Sequence, residues 1–274
     1  MPHQVEPSPP DGAGEPAPNQ QTGSDAGGSA PLPPAGLPRP GPDKGGHPLG
    51  TLKLPSRGQA RRARVVAIFL DRVVWNCRVV GREHVPAGPA ILAGNHTGLM
   101  DGPVVIGAAP RGVHFMIKQE LTKGVLGVIM AAAGQVPVDR SGGHQALRVC
   151  LALLAKGQMV GIFPEGTRGD GRMSQIHAGV GWLAVHSGAP VVPFACLGTR
   201  RQGESVGKIP PFRRRLVVEF GPALQLAPPP GLSEKAQISA VLPVIAQGLA
   251  AHVTAAVART GLPLPTDAGR RGQR

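Results

Sequence analysis

The stretch Gly94-Asn95-His96-Thr97-Gly98-Leu99-Met100-Asp101 sets an imidazole and a carboxylate five positions apart. An apolar run precedes it over 89–93, and another follows Pro103 over 104–109. A strand, a loop and a helix in that order put His96 in the connection and Asp101 at the helix start. Gly102-Pro103 then fall in the first turn, where a proline without an N–H costs nothing. From that position the carboxylate can fold back onto one ring nitrogen of His96. The other nitrogen is left to accept a proton, which is what a general base requires. Alone, a loop histidine is commonly a surface residue and Asp101 a routine cap. A second stretch, Phe163-Pro164-Glu165-Gly166-Thr167-Arg168, tips the reading because it too follows an apolar run directly.

The surrounding periodicity predicts further strands over 113–118, 135–140, 159–163, 191–197 and 216–220. Helices are predicted over 125–133, 145–156 and 178–186, with a last one capped by Ser233, running to about 259 and kinked at Pro243. Strands alternating with helices make an α/β domain whose mainly parallel, mixed sheet is flanked by helices. In such sheets chemistry gathers at the carboxyl ends of strands, so the two stretches can share one cleft. Segment 63–80 is hydrophobic but interrupted by Asp71, Arg72 and Arg78. It reads as one helix with a wide apolar face: either a core helix, or an in-plane membrane helix with Trp75 at headgroup depth. No run approaches the roughly 20 apolar residues of a membrane span.

Residues 1–58 are Pro, Gly, Ala and Ser with scattered polar residues, too poor in apolar side chains to offset ordering entropy, and are read as a disordered tail. The domain is then 59–262, followed by a flexible basic tail over 263–274. The tail 1–58 holds four basic and five acidic residues, so the net charge of +13 belongs to the rest. Arg61-Arg62-Arg64, Arg200-Arg201 and Arg213-Arg214-Arg215 are its clusters. Such a surface attracts nucleic acid, an anionic lipid leaflet or phosphorylated substrates. Specific nucleic-acid recognition is disfavoured: aromatics are 3% with no tyrosine, and no helix-turn-helix, zinc or RNP signature is present. Cys77, Cys150 and Cys196 are isolated, without metal-ligand spacing or an even count, and fit a reduced protein facing the cytoplasm. The prolines and acids after Met1 give no expectation of a secretory signal.

The His-x4-Asp spacing followed by Phe-Pro-Glu-Gly-Thr-Arg resembles the glycerolipid acyltransferase family. Lys118-Gln119-Glu120-Leu121, Gly134-Gln135-Val136-Pro137-Val138-Asp139-Arg140 and Val192-Pro193-Phe194-Ala195 are similar to its remaining blocks, in the same order. The resemblance covers about 89–198. It implies transfer of a fatty acyl group from acyl-CoA or acyl carrier protein to the free hydroxyl of 1-acylglycerol 3-phosphate, giving phosphatidate at a phospholipid membrane surface. No cofactor or metal is implied, and the enzyme would be peripheral, on the cytoplasmic face.

His96 would deprotonate the acceptor hydroxyl, and Asp101 would hold its tautomer. Glu165, Gly166, Thr167 and Arg168 would bind the acceptor's glycerol phosphate. A guanidinium offers a planar fork for phosphate oxygens, and Gly166 allows close backbone approach. Glu165 either orders Arg168 or contacts a hydroxyl. Arg140 is a second phosphate ligand or a structural partner of Asp139; Lys118 stabilises the oxyanion or is merely solvated. Val192 and Pro193 shape the acyl pocket wall or are plain core. No Gly-x-Ser-x-Gly elbow is present, so the alcohol itself would attack. Thr97-Gly98-Leu99-Met100 replaces the serine and large aromatic of many members, and Gly169-Asp170-Gly171 stands where a serine commonly follows the arginine. Another lysophospholipid acceptor, or hydrolysis of the thioester by water, would use the same base.

Overall fold

A computed structural model of the chain describes residues 54–138 and 143–267. All but the last few residues of the 1–58 tail, the end of the 263–274 tail, and Asp139 and Arg140 lie outside these.

The central strands are β2 (Ala90–Gly94), β5 (Met159–Ile162) and β6 (Val191–Leu197), every residue of which is buried. Continuous apolar runs of this kind suit parallel strands covered on both faces. They belong to a seven-stranded sheet ordered β1-β7-β6-β2-β5-β3-β4, where β1 is Asn76–Val80, β3 Val113–Lys118, β4 Val136–Val138 and β7 Arg215–Phe220. Every neighbouring pair is parallel except β6 with β7. The sheet is mixed but mainly parallel, as expected from the sequence.

Alternation along the strands divides the core into two layers. Ile91, Ala93 and Val191 face helices α4 (His144–Ala155), α5 (Gly179–Ser187) and α6 (Glu234–Thr260). Leu92, Val192 and Phe194 face α1 (Arg57–Phe69) and α2 (Asp101–Ala108). The remaining α-helix, α3 (Gly124–Ala132), connects β3 to the edge strand β4 and buries only Gly127. Helix α6 starts at Ser233, whose hydroxyl accepts the Ala236 N–H, and continues through Pro243. By length and composition it could cross a membrane, but Val241, Ile245, Leu249 and Val253, one every four residues, pack into the core.

The segment 63–80 is not one helix. Helix α1 ends at Phe69, a π-helical turn covers Leu70–Val74, and the chain becomes β1. Its last residues pair with β7, so the Val79-Val80 pair sits where β-branched side chains pack well. Trp75 is buried in the core layer and donates its indole N–H to the Pro210 carbonyl, which removes it from any headgroup position. Val65, Val66, Phe69 and Val73 nevertheless point outward.

Asp71, within the π turn, is 4% exposed, and neither of its oxygens has a hydrogen-bond partner. It lies against Gly107 of α2, where a Cβ would come 2.2 Å from Oδ2 and 2.8 Å from the Ala67 carbonyl. Glycine there is what lets α1 and α2 approach. Burial raises the Asp71 carboxyl to about 8, an effect Arg82 only partly offsets. The folded protein therefore holds a proton on Asp71 at pH values where the unfolded chain has released it, and stability should fall as pH rises from about 4 to about 8. Asp71→Asn should melt close to wild type near pH 4 but at a higher temperature at pH 8, as thermal unfolding across that window will read.

Candidate active site

The two stretches singled out above emerge from neighbouring strands at the same end of the sheet. His96 follows β2 and Phe163 follows β5, which pair in parallel with Ala93 opposite Ile162. On the other side of β2 runs β6, whose end delivers Thr199. Three adjacent strands thus feed one cluster.

At its centre is Asp101, the first residue of α2, which has no exposed surface. Oδ2 accepts from the His96 ring Nδ1 at 2.9 Å and from the backbone N–H groups of Thr97 and Gly98 at 2.6 and 2.8 Å. Oδ1 accepts the Thr199 hydroxyl and, at 3.8 Å, the weak thiol donor of Cys196. Because an ionised carboxylate only accepts, the His96 proton must reside on Nδ1. The Nε2 lone pair is then directed away, and among the described residues no polar group reaches it. The imidazole is 19% exposed and stacks on Phe163 with centroids 4.0 Å apart and planes 14° from parallel. Phe163 is in turn packed by Phe115 and Phe194. The ring is therefore held in tilt and depth, with its Nε2 edge toward solvent.

The Phe163–Arg168 loop is bonded to this cluster. Glu165 Oε2 accepts the His96 backbone N–H at 2.9 Å, and Oε1 accepts that of Met173 at 3.2 Å. The Gly169 N–H returns to the His96 carbonyl at 2.9 Å. Burial raises the Glu165 carboxyl above its usual range, while the two backbone donors pull it back. Through these two bonds Glu165 straps the two loops together. Gly166 has φ +67°, and a Cβ there would meet the His177 ring at 2.5 Å, so only glycine fits. Thr167 is exposed beside it, and half-buried Arg168 gives one N–H to the Val206 carbonyl at 3.2 Å, keeping further donors.

Lys118 is exposed at the end of β3. Val192 and Pro193 are buried in β6, Val192 in the layer facing α2. Arg140 lies outside the described residues. Cys150 and Cys196 are buried, with their thiols pushed upward by that burial, so neither offers a thiolate beside His96.

Three supports have no signal in the sequence. Asn95 bonds the backbone of Cys196 in both directions, locking β2 to β6. Thr199 carries no motif at all. Arg200, counted above as surface charge, is 1% exposed, and one nitrogen donates to the carbonyls of Gly169 at 2.9 Å and Asp267 at 2.8 Å. Another meets the Asp267 carboxylate at 3.0 Å, so residue 267 braces the loop that follows Arg168. Arg214 is likewise internal, paired through both terminal nitrogens with Glu204, whose carboxyl it holds near 2.

Comparison with known proteins adds the following. The acyltransferase family model matches residues 76–197. A chloroplastic 1-acyl-sn-glycerol-3-phosphate acyltransferase of Arabidopsis thaliana is 29% identical over 185 residues, spanning 64% of this chain and 50% of that protein. A Bacillus subtilis 1-acyl-sn-glycerol-3-phosphate acyltransferase is 33% identical over 135 residues, spanning 48% of this chain and 65% of that one. The chain thus spans between half and two thirds of the length of these relatives. The crystal structure of the 1-acyl-sn-glycerophosphate acyltransferase of Thermotoga maritima shares the fold, with a TM-score of 0.51 at 23% identity over 73% of this chain and 83% of that one.

The strap makes a graded expectation. Glu165→Gln keeps one acceptor oxygen and should lose less turnover than Glu165→Ala, which leaves two backbone N–H groups unpaired at about 1–3 kcal/mol each where they are buried. Melting temperature and rate measured on both variants will test this; equal, wild-type behaviour would contradict it.

Proposed function

Because residues 76–197 match the acyltransferase family model, we propose that the chain is an enzyme that moves a fatty acyl group from acyl-CoA or acyl carrier protein to the free hydroxyl of 1-acylglycerol 3-phosphate, giving phosphatidate. The observation that carries this is the oriented imidazole: Nδ1 held by a fully buried carboxylate, Nε2 open, and an arginine-bearing loop bonded to the same residue.

The chemistry follows from those atoms. The acceptor hydroxyl gives its proton to His96 Nε2 while its oxygen bonds to the thioester carbonyl carbon. The tetrahedral oxyanion collapses, the C–S bond breaks, and the leaving thiolate takes the proton back from Nε2. Asp101 stays ionised throughout and stabilises the imidazolium. Arg168 offers its remaining donors to the acceptor phosphate, next to the exposed Gly166 and Thr167. Lys118, exposed at the end of β3, is available to the oxyanion, and Arg140 to the phosphate. No metal or cofactor takes part in these steps.

A membrane surface as partner is supported by the outward apolar side chains. Val65, Val66 and Phe69 of α1 are 58–62% exposed, and Val125 and Val128 of α3 are 79% and 70% exposed. The two helices touch where Gln59 donates to the Ala131 carbonyl, and Arg61 and Arg62 lie on the same α1 surface. Apolar residues bordered by arginine suit the boundary of an anionic leaflet. The free cysteines suit a leaflet on the cytoplasmic side.

Purified protein should transfer labelled acyl from a thioester to lysophosphatidate, with slower thioester loss when no acceptor is present. His96→Ala should lower kcat/KM by about 10²–10⁴ in a protein that still folds, as its melting curve will show. Full activity in that variant would overturn the mechanism.

A further inference from the structure

At the end of the sheet opposite His96, the segments entering β2, β3 and β5 frame a cavity of about 440 Å³. Four arginines line it: Arg57, Arg61 and Arg64 from α1, and Arg111 from the turn before β3. The α1 spacing of four and three residues puts the first three on one helix face. No carboxylate lines the cavity, and among the described residues none of the four makes an ion pair. They are instead moored by backbone carbonyls. Arg57 donates to that of Lys156, Arg64 to that of Ala109 at 2.7 Å, and Arg111 to those of Gly88 and, at 3.3 Å, Gly157. Arg111 Nε is buried without any partner. Burial, with Arg57 nearby, also holds the Arg111 guanidinium below its ordinary range.

Uncompensated like charges converging on a hollow repel one another unless an anion enters. Each guanidinium has five donors, and the carbonyls occupy only some. We propose that this cavity binds the phosphate of an anionic ligand, at a site separate from the acyl-transfer centre. That phosphate belongs either to a phospholipid headgroup or to a soluble phosphate compound. On α1 itself the exposed Val65 and Phe69 adjoin the arginine row, so a headgroup seated there would have its bilayer against an apolar rim. The headgroup form rests on the membrane-surface part of the function proposed above, but not on acyl transfer.

The test uses the full chain. Flotation with phosphatidylcholine vesicles, with and without phosphatidylglycerol, is measured for wild type, Arg61→Gln, Arg57→Gln/Arg61→Gln, and a control of equal charge loss, Arg78→Gln/Arg201→Gln. Calorimetry with inorganic phosphate runs alongside, and melting curves establish that each variant folds. Arg61 is exposed and makes no hydrogen bond in the described structure, so its single variant guards against misfolding.

Phosphatidylglycerol should strengthen wild-type binding, and the cavity double variant should lose roughly tenfold or more of that gain while the control keeps most of it. A saturable phosphate isotherm abolished by the cavity variants, without any lipid effect, would support the site with a soluble ligand. Equal losses in cavity and control variants, or none in either, together with no saturable phosphate binding, would overturn it. Failure to bind neutral vesicles at all would count against the membrane reading, while the phosphate arm would still decide the site.

Discussion

The buried carboxylate of Asp101 is the contact around which the candidate active site is arranged. It takes donors from the His96 ring, from the backbone of the loop after β2, and from a threonine supplied by β6. A charge removed from water in this way is tolerated only when its lone pairs are filled, and here they are. The cost of burying it is offset by the same bonds that set the imidazole's tautomer. Stability and the geometry of the candidate site therefore meet in one side chain.

Asp71 is the instructive contrast. It packs against the same helix, α2, yet neither oxygen finds a donor, and burial drives it toward the neutral form. The carboxyl that lacks donors is discharged by burial, while the other has its lone pairs filled, although both are almost fully buried. The π turn around Asp71 and the missing side chain at Gly107 bring α1 against α2. Helix α1 in turn carries the outward apolar strip and three of the arginines of the far cavity.

The mixed sheet, the order of its elements and the placement of both loops at strand ends were legible because apolar runs and turn residues are local signals. The His96–Asp101 bond was legible for the same reason, being five residues long. What escaped was everything spanning the sheet. Glu165 reaches His96 across 69 residues and Thr199 reaches Asp101 across 98, contacts set by strand order and register. Arg200 and Arg214 read as surface charge because nothing in a basic cluster announces a carbonyl or carboxylate waiting inside. The end of the 63–80 segment read as helix because its periodicity is helical throughout, and only pairing with β7 turns it into a strand.

The most direct measurement of the account is the protonation state of the His96 ring, read by long-range ¹H–¹⁵N NMR on protein labelled at histidine. The neutral ring should carry its proton on Nδ1 and show Nε2 as an unprotonated, pyridine-type nitrogen, with Asp101→Asn disturbing that tautomer. A ring protonated on Nε2, with Nδ1 bare, would contradict it, because the nitrogen facing the open side could then no longer act as a base.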